Sequence, residues 1–209
     1  MKTLYIIRHG ETDGNAGHVW QTPHTPLSDG GRKQAQALGE RFKNIQIDCI
    51  LHSPYTRAHE TADAIHAATG KPLVMVDEMH ERLRPSVIRG KPQADPEAKK
   101  VMEHVTRTFY HDDATERHSD EEGFFDLRRR AEKIITIFES RSEQHIAAVS
   151  HRDTISFIVG SMLFRDEFSP LIYECLHRRL VHANTGITKC TYTDHGWKVL
   201  TWSDDAHLG

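Results

Sequence analysis

Residues 4–15 read LYIIRHGETDGN, and the change from apolar to polar residues within this stretch decides the fold. The apolar run Leu4–Ile7 has the length and the isoleucine content of a buried strand. Arg8 and His9 follow it directly, although neither side chain is favoured in a hydrophobic core. Open α/β sheets bind ligands beyond the carboxyl ends of their strands. The stretch therefore predicts a buried strand that carries two polar side chains to a binding site.

The same arrangement recurs later in the chain. Ile47–Leu51 leads into residues 52–54 (HSP), Ile146–Val149 leads into residues 150–152 (SHR), and Leu73–Val76 is a further short apolar run. Short runs rich in Ile and Val, each followed by a polar turn and a helical pattern, indicate parallel strands covered by helices. We therefore predict an α/β fold, a three-layer sandwich whose central sheet is mostly parallel, with helices on both faces.

Cap residues and apolar spacing predict the other elements. Ser28 caps a helix over residues 28–43, and Ser53-Pro54 predicts the cap and the first turn of a second helix. The apolar stripe of Phe124–Phe138 predicts a helix that lies against the sheet. Residues 187–202 predict two strands, a C-terminal hairpin that extends the sheet in antiparallel fashion.

The chain length of 209 residues fits one domain, residues 1–209. Between about residues 82 and 123 the pattern loosens, and prolines surround an amphipathic stretch at Pro96–Tyr110. We interpret this segment as a cap-like helical insertion over the active site. It has no evident basic lid segment, although Arg82, Arg84, Arg89 and Lys91 enter it and could contact an anionic substrate tail.

Composition excludes several functional classes. The formal net charge is −3, which gives no broad positive field for nucleic acid or for an anionic membrane. No apolar stretch approaches the roughly 20 residues that cross a bilayer, and the N-terminus lacks a signal-peptide pattern, so we expect a cytoplasmic protein. The three cysteines contain no CxxC motif and predict neither a disulfide framework nor a zinc site.

Four basic side chains follow predicted strands or begin predicted helices: Arg8, His9, Arg57 and His151. The carboxyl ends of parallel strands meet at one edge of a sheet, so these side chains can surround a single tetrahedral anion. Arginine binds phosphate oxygens in bidentate fashion, and a neutral imidazole between arginines can attack phosphorus. The pattern therefore predicts a phosphoryl group as the ligand.

The joint pattern resembles the histidine phosphatase superfamily, the phosphoglycerate mutase-like proteins. The resemblance covers nearly the whole chain and rests on these segments: IIRHGETDGN at 6–15, TPLSDGGRKQAQALG at 25–39, SPYTRAHETA at 53–62, VSHRDTI at 149–155 and SDDAHL at 203–208.

The resemblance implies a role for each matching residue. His9 would be the nucleophile that becomes phosphorylated, and Arg8, Arg57 and a protonated His151 would complete the phosphate pocket. Asn15 would add a hydrogen bond to the same phosphate. Within residues 80–90 (HERLRPSVIRG), Glu81 would be the proton donor, with Glu78 as the fallback. No metal and no cofactor would be required.

Three functions remain open from the sequence. The first is a metal-independent phosphomonoester hydrolase that acts through phosphohistidine on His9. The second is a phosphoglycerate-type mutase, and the third is a non-catalytic phosphate-binding module of the same fold. We favour hydrolysis because the chain is short for a mutase and every expected catalytic position is filled. The expected partner is a small phosphorylated molecule, and a homodimer is possible.

Arg152 departs from the pattern of the family that the chain resembles, in which glycine usually follows the second histidine. Its side chain can fold back toward the phosphate pocket, or it can reach a carboxylate such as Asp153 or Asp166. The second interpretation is a surface ion pair. The first is a substrate-binding role, in which Arg152 lines the rim and contacts a second anionic group of the substrate.

Overall fold

The computed structural model describes residues 1–110 and 116–209, except for the side chains of residues 15 and 16. The strands are β1 (Lys2–Arg8), β2 (Cys49–His52), β3 (Leu73–Met75), β4 (His145–Ser150), β5 (Ile187–Thr193) and β6 (Gly196–Asp204). The α-helices are α1 (Asp13–Ala16), α2 (Asp29–Phe42), α3 (Thr56–Thr69), α4 (Pro96–Tyr110), α5 (Phe124–Ser140), α6 (Arg152–Phe164) and α7 (Pro170–Arg179). Residues 111–115, which belong to the expected insertion, lie outside the described ranges.

The strands form one six-stranded sheet in the order β3-β2-β4-β1-β5-β6. β4 pairs in parallel with both β1 and β2, and β2 pairs in parallel with β3. β5 and β6 extend the sheet in antiparallel fashion, as predicted for the C-terminal hairpin. The prediction of an α/β fold with a mostly parallel sheet is confirmed.

Alternation along the strands divides the core between the two faces of the sheet. Leu4 and Ile6 of β1 join the cluster that contains Phe124 and Ile134 of α5 and residues of α6. Ile7 of β1 joins the second cluster, which contains residues of α2 and α3. Successive side chains of a strand point to opposite faces, so each central strand contributes to both clusters. The sheet is therefore covered on both sides and can present ligand groups only at its edges and ends.

The start of α3 differs from the prediction. The helix begins at Thr56 with Tyr55 as its N-cap, so Ser53 is not the cap and Pro54 is not in the first turn. Ser53 is fully buried at the end of β2, and its hydroxyl lies 2.7 Å from Nε2 of His151. Ser28, in contrast, caps α2 as predicted, because its side chain accepts a hydrogen bond from the Gly31 amide.

No α-helix in the described ranges combines the length and the apolarity that a bilayer-spanning helix needs.

Candidate active site

Three parallel strands end at the same level and define the site. In the register of the sheet Arg8 of β1 lies beside Ser150 of β4, and His52 of β2 lies beside Val149. The backbone amide of His9 donates to Ser150 O at 3.0 Å, which continues the ladder one residue past the strand. The residues that follow these strands therefore converge, as the sequence predicts from the rule for open α/β sheets.

His9 is buried and its tautomer is determined by two hydrogen bonds. Nδ1 lies 2.7 Å from the carbonyl oxygen of Gly10, which can only accept, so Nδ1 carries the proton. Nε of Arg57 donates to Nε2 of His9 at 3.2 Å, so Nε2 presents a lone pair. Burial, together with the charges of Arg57 and Arg8, lowers the pKa of His9 well below 6.5. His9 is therefore neutral at physiological pH, and the lone pair of its Nε2 accepts the hydrogen bond from Arg57.

The turn after β1 is held by contacts that the sequence motif does not specify. The amide of Gly10 donates to Oγ1 of Thr61 on α3, and that hydroxyl donates to the carbonyl of Arg57. Nδ2 of Asn184 donates to the carbonyl of His9 at 2.9 Å. A Cβ at Gly10 would lie 2.7 Å from the carbonyl oxygen of Gly31, so only glycine fits there. These contacts position the imidazole of His9 relative to α3.

Arg57 and Arg8 flank His9 on elements that hold their guanidinium groups in place. Arg57, in the first turn of α3, is buried and also donates to the carbonyl of Thr22 at 3.0 Å. Burial lowers the pKa of Arg57 to about 10, which still leaves it charged at neutral pH. Nη1 of Arg8 donates to the carbonyl of His182 at 2.5 Å. Arg57 therefore contacts the unprotonated nitrogen of His9, and Arg8 lines the same cleft and acts on His9 through its charge.

His151, the N-cap of α6, is fully buried, and its ring centroid lies 5.0 Å from that of His9. Its Nε2 is 2.7 Å from Oγ of Ser53, and its Nδ1 has no hydrogen-bond partner among the described residues. Burial and the charge of Arg57 lower the pKa of His151 well below 6.5. This shift favours neutral His151, whereas the expected protonated His151 concerns the complex with a phosphoryl group and stays a prediction.

Glu81 lies in the same cleft as His9, whereas Glu78 does not line it. Oε1 of Glu81 accepts from the amide of Arg82 at 2.8 Å. The amide of Thr154 lies 3.4 Å from the same oxygen. Burial, followed by the charge of Asp153, raises the pKa of Glu81. Of the two candidate proton donors, Glu81 therefore lies in the cleft with His9, and its role in proton transfer stays a prediction.

Comparison with known proteins assigns the chain to a family. The model described as "Histidine phosphatase superfamily (branch 1)" matches residues 4–205. The chain belongs to the histidine phosphatase superfamily. The sequence prediction of this family is therefore confirmed.

Individual relatives carry different names within the family. "Probable phosphoglycerate mutase GpmB" of Salmonella arizonae is 27% identical over all of this chain and 95% of its own length. "Uncharacterized phosphatase PhoE" of Bacillus subtilis is 37% identical over 83 residues, 39% of this chain and only 43% of that relative. The structure of Bacillus stearothermophilus YhfR has a TM-score of 0.83 at 23% identity and covers all of both chains, which shows the fold.

The cleft of this histidine phosphatase superfamily member has a volume of about 230 Å³ and continues from His9 to Arg152. Asp166 pairs with Arg128 and Asp153 pairs with Arg84 at 2.9 Å, so neither carboxylate of the surface ion-pair interpretation is bound to Arg152. Nη2 of Arg152 donates instead to the carbonyl of His177 at 3.3 Å. The side chain of Arg152 lines the cleft that contains His9. This position agrees with the alternative in which Arg152 folds back toward the phosphate pocket.

Two segments that line the cleft, one around Trp20 and one at residues 82–93, are hydrogen-bonded to each other. The amide of Trp20 donates to the carbonyl of Lys91 at 3.0 Å, and the amide of Gly90 donates to the carbonyl of Trp20 at 2.7 Å. Segment 82–93 contributes Arg82, Arg84 and Arg89 to the lining. Spacing in sequence does not show that these three arginines face one cleft, and the cap-like role of the insertion stays a prediction.

Two further sequence expectations concern Asn15 and metal binding. Asn15 falls in α1, but its side chain lies outside the described part of the structure, so its hydrogen bond to phosphate stays a prediction. Among the described residues, no group of three or more His, Cys, Asp and Glu side chains is placed to hold a metal ion.

Proposed function

We propose that the protein is a phosphomonoester hydrolase that transfers the phosphoryl group of its substrate to Nε2 of His9. The observation that carries this proposal is the hydrogen bond of 2.7 Å between Nδ1 of His9 and the carbonyl of Gly10. It leaves Nε2 unprotonated, which is the state that a nucleophilic imidazole requires, and the hydrogen bond from Nε of Arg57 passes from Nε2 to a phosphoryl oxygen as Nε2 attacks. The low pKa of His9 maintains this state at neutral pH.

In the first step Nε2 of His9 forms a bond to phosphorus while the bond from phosphorus to the leaving oxygen breaks. Arg8 and Arg57 offset the charge of the phosphoryl oxygens, which is the dominant contribution of proteins to phosphoryl transfer. Neutral His151 accepts a hydrogen bond from the Ser53 hydroxyl on Nε2 and donates one through Nδ1–H to a phosphoryl oxygen, which gives the unpartnered Nδ1 an acceptor.

Glu81 supplies the proton that the leaving oxygen needs. Its Oε1 is bound by the amide of Arg82, so Oε2 is the oxygen available for proton transfer. The raised pKa of Glu81 favours the acid form at the start of the cycle. In the second step the ionised carboxylate takes a proton from water, the water oxygen bonds to phosphorus, and the bond to Nε2 of His9 breaks. Phosphate leaves, and His9 and Glu81 return to their initial states.

A phosphoglycerate-type mutase is the second candidate. The observation that favours it is the basic lining contributed by segment 82–93, because a mutase must retain its substrate while the phosphoryl group is on the protein. The two functions give different products. Incubation of the protein with a single phosphoglycerate isomer, followed by phosphorus NMR, measures inorganic phosphate against the other isomer. We expect inorganic phosphate; accumulation of the isomer would assign the mutase function instead.

A screen of small phosphomonoesters tests the hydrolase proposal itself. We expect release of inorganic phosphate together with an acid-labile, base-stable phosphoprotein that forms only when His9 is present. Tight binding of phosphomonoesters with no phosphate release and no phosphoprotein would favour the third possibility, a non-catalytic phosphate-binding module.

A further inference from the structure

Glu81 is carried by a short segment, residues 78–83, that lies outside the strands and α-helices of the fold. Its carboxyl group is the proton donor of the proposed function and lies in the cleft with His9. A proton donor has to come within hydrogen-bond distance of the leaving oxygen. Side chains on irregular segments are positioned less accurately than those on helices and strands, so the contacts of this segment decide where the carboxyl group lies.

One arginine outside the cleft binds the segment just before Glu81. Arg130, on α5, is buried and does not line the cleft. Its Nη1 donates to the carbonyl of Glu78 at 2.5 Å and to the carbonyl of His80 at 2.8 Å. His80 is the residue directly before Glu81. Arg130 therefore fixes the path of the backbone as it approaches the proton donor.

Glu122, in the loop before α5, binds the segment on the other side of Glu81. Its Oε2 accepts from the amide of Leu83 at 2.8 Å, and its own amide donates to the carbonyl of Leu83 at 3.0 Å. Both backbone groups of Leu83 are therefore bound to one residue. Glu122, like Arg130, does not line the cleft. Glu81 thus lies between two points of the backbone that are held from outside the cleft.

Arg130 and Glu122 are also joined to each other. Nε of Arg130 donates to Oε1 of Glu122 at 2.7 Å, and Nη2 donates to Oε2 at 2.8 Å. The side chains are only 10% and 12% exposed. A two-point pair of this kind fixes the orientation of both groups. A buried ion pair contributes little net stability compared with apolar residues of similar volume, so stability alone does not account for it.

Two hydroxyl groups bind the opposite side of the segment. Oγ of Ser150 donates to the carbonyl of Met79 at 2.7 Å, and Oγ1 of Thr154 donates to the carbonyl of His80 at 2.6 Å. Ser150 is the last residue of β4, and Thr154 lies in the first turn of α6. The segment is therefore held between α5 and the turn from β4 to α6. Because that turn lies at the carboxyl edge of the sheet, these contacts set the position of Glu81 relative to the phosphate pocket.

We propose that Arg130 and Glu122 are positioning residues for the proton donor. They hold the backbone on both sides of Glu81 so that its carboxyl group reaches the leaving oxygen, and neither of them touches the substrate. This inference rests on the proposed function for the role of Glu81. Loss of Arg130 should therefore slow the step in which the leaving oxygen is protonated and should affect substrate binding much less.

Arg130→Gln tests the inference through the ratio of kcat/KM for propyl phosphate to kcat/KM for phenyl phosphate. The alkyl leaving oxygen needs a proton and the aryl leaving oxygen needs little help. The ratio does not depend on how much of the protein is folded, so a loss of stability leaves it unchanged. We expect it to fall about 10-fold, mainly through kcat, because a small misplacement of a catalytic group is costly. Arg130→Lys should restore part of it, and a wild-type ratio in Arg130→Gln would overturn the proposal.

Two other arginines provide matched controls. Arg129, next to Arg130 on α5, is exposed and pairs with Asp126. Arg41, on α2, makes a partly buried two-point pair with Asp204. Arg129→Gln therefore controls for the loss of a charge on α5, and Arg41→Gln controls for the loss of an ion pair. We expect the wild-type ratio in both, and a ratio that falls in Arg41→Gln as far as in Arg130→Gln would show a general effect of ion-pair loss instead of positioning.

A double variant tests whether Arg130 acts through Glu81. In the protein with both Glu81→Gln and Arg130→Gln, the alkyl-to-aryl ratio should equal that of Glu81→Gln alone, because the position of the residue has no effect on protonation once the acid is gone. A ratio that falls by the same further factor as in the presence of Glu81 would show that Arg130 acts on another group, and the proposal would be wrong.

A titration separates failure of this inference from failure of the hydrolase proposal. Carbon-13 NMR of labelled glutamate carboxyl groups follows Glu81 in the full chain without turnover, and Glu81→Gln identifies its signal. Burial raises the pKa of Glu81, and three charged neighbours also shift it: Asp153, Arg84 and Arg57. If Arg130→Gln changes this pKa and Arg129→Gln does not, then Arg130 positions the carboxyl group even if the wild type releases no phosphate. If the wild type hydrolyses both phosphates while the pKa and the ratio are unchanged in Arg130→Gln, then the positioning role is wrong and the hydrolase proposal stands.

Discussion

The starts of α3 and α6 each place an arginine in the cleft, but the two arginines differ in their burial and in their hydrogen bonds. Both helices follow a parallel strand at the carboxyl edge of the sheet, and each directs an arginine into the cleft within its first turn. Arg57 of α3 is buried, with hydrogen bonds to His9 at 3.2 Å and to the carbonyl of Thr22 at 3.0 Å. Arg152 of α6 is only partly buried, and its Nε has no hydrogen-bond partner in the described part of the chain.

Arg57 and Arg152 differ in whether the guanidinium is already bound to another catalytic residue before a ligand arrives. Arg57 already lies beside Nε2 of His9 before a phosphoryl group arrives, and electrostatic preorganisation of this kind stabilises a transition state. Arg152 has protein contacts that a ligand can replace, which is typical of a group that recognises a substrate. We therefore expect changes near α3 to act on kcat for every substrate, and changes near α6 to act on KM for some substrates.

The largest effect is expected from His9→Ala, which removes the group that Arg57 orients. Loss of a covalent nucleophile lowers kcat by about 10⁴-fold or more, and no phosphoprotein should form in a quench with labelled substrate. His24→Ala is the control because His24 is an exposed histidine outside the cleft. Retention of wild-type turnover in His9→Ala would show that His9 is not the nucleophile. The role that we give to Arg57 beside it would then be wrong.

Arg57→Gln is expected to lower kcat by about 10²–10³-fold for substrates with and without a second anionic group, as for loss of one preorganised donor. Initial rates on propyl phosphate and on phosphooxypropanoate, which ends in a carboxylate, check this. Arg32→Gln provides the control, since Arg32 pairs with Asp29 on the exposed surface of α2. A loss that is restricted to the substrate with the carboxylate would assign to Arg57 the recognition role that the sequence analysis considers for Arg152.

Glu81→Gln is expected to lower kcat/KM about 10²-fold on alkyl phosphates and far less on aryl phosphates, whose leaving oxygens need little protonation. In the wild type the ratio of alkyl to aryl rates should fall as pH rises through the pKa of Glu81, because only the acid form donates. Burial and Asp153 raise that pKa, so the decline begins above the ordinary range of a glutamic acid.

Glu78→Gln is the matched control for Glu81→Gln, because Glu78 is a nearby carboxyl group that does not line the cleft. Rates for both variants on the same alkyl and aryl pair separate the two residues. A selective loss on alkyl phosphates in Glu78→Gln that exceeds the loss in Glu81→Gln would transfer the proton-donor role to Glu78.

The smallest effect is expected from removal of divalent metal. We propose that arginines at the helix starts supply the positive charge that a metal ion provides in other phosphoryl-transfer sites. Treatment with a strong chelator, followed by its removal, should leave kcat within the error of the assay. Activity that disappears and returns only with a divalent ion would mean that the arginines are insufficient and that a metal acts beside them.

Much of the fold follows from short-range patterns, which a single chain displays directly. The run Leu4–Ile7 predicts β1, Ser28 predicts the start of α2, and the apolar stripe from Phe124 predicts α5, since each depends on neighbours within a turn or a strand. Ser53 shows the limit of such reasoning. It has the sequence context of a helix cap, but its hydroxyl bonds to His151, which is 98 residues away.

The sequence by itself determined which residues meet at the active site, because Arg8, His9, Arg57 and His151 each follow a strand or begin a helix and the ends of parallel strands converge. Only the tertiary structure decided the state of these residues. Nε2 of His9 accepts from Arg57, the pKa of Glu81 depends on burial and on Asp153, and Arg84 rather than Arg152 pairs with Asp153. Each of these is a contact between distant parts of the chain, whose distance and burial no local pattern encodes.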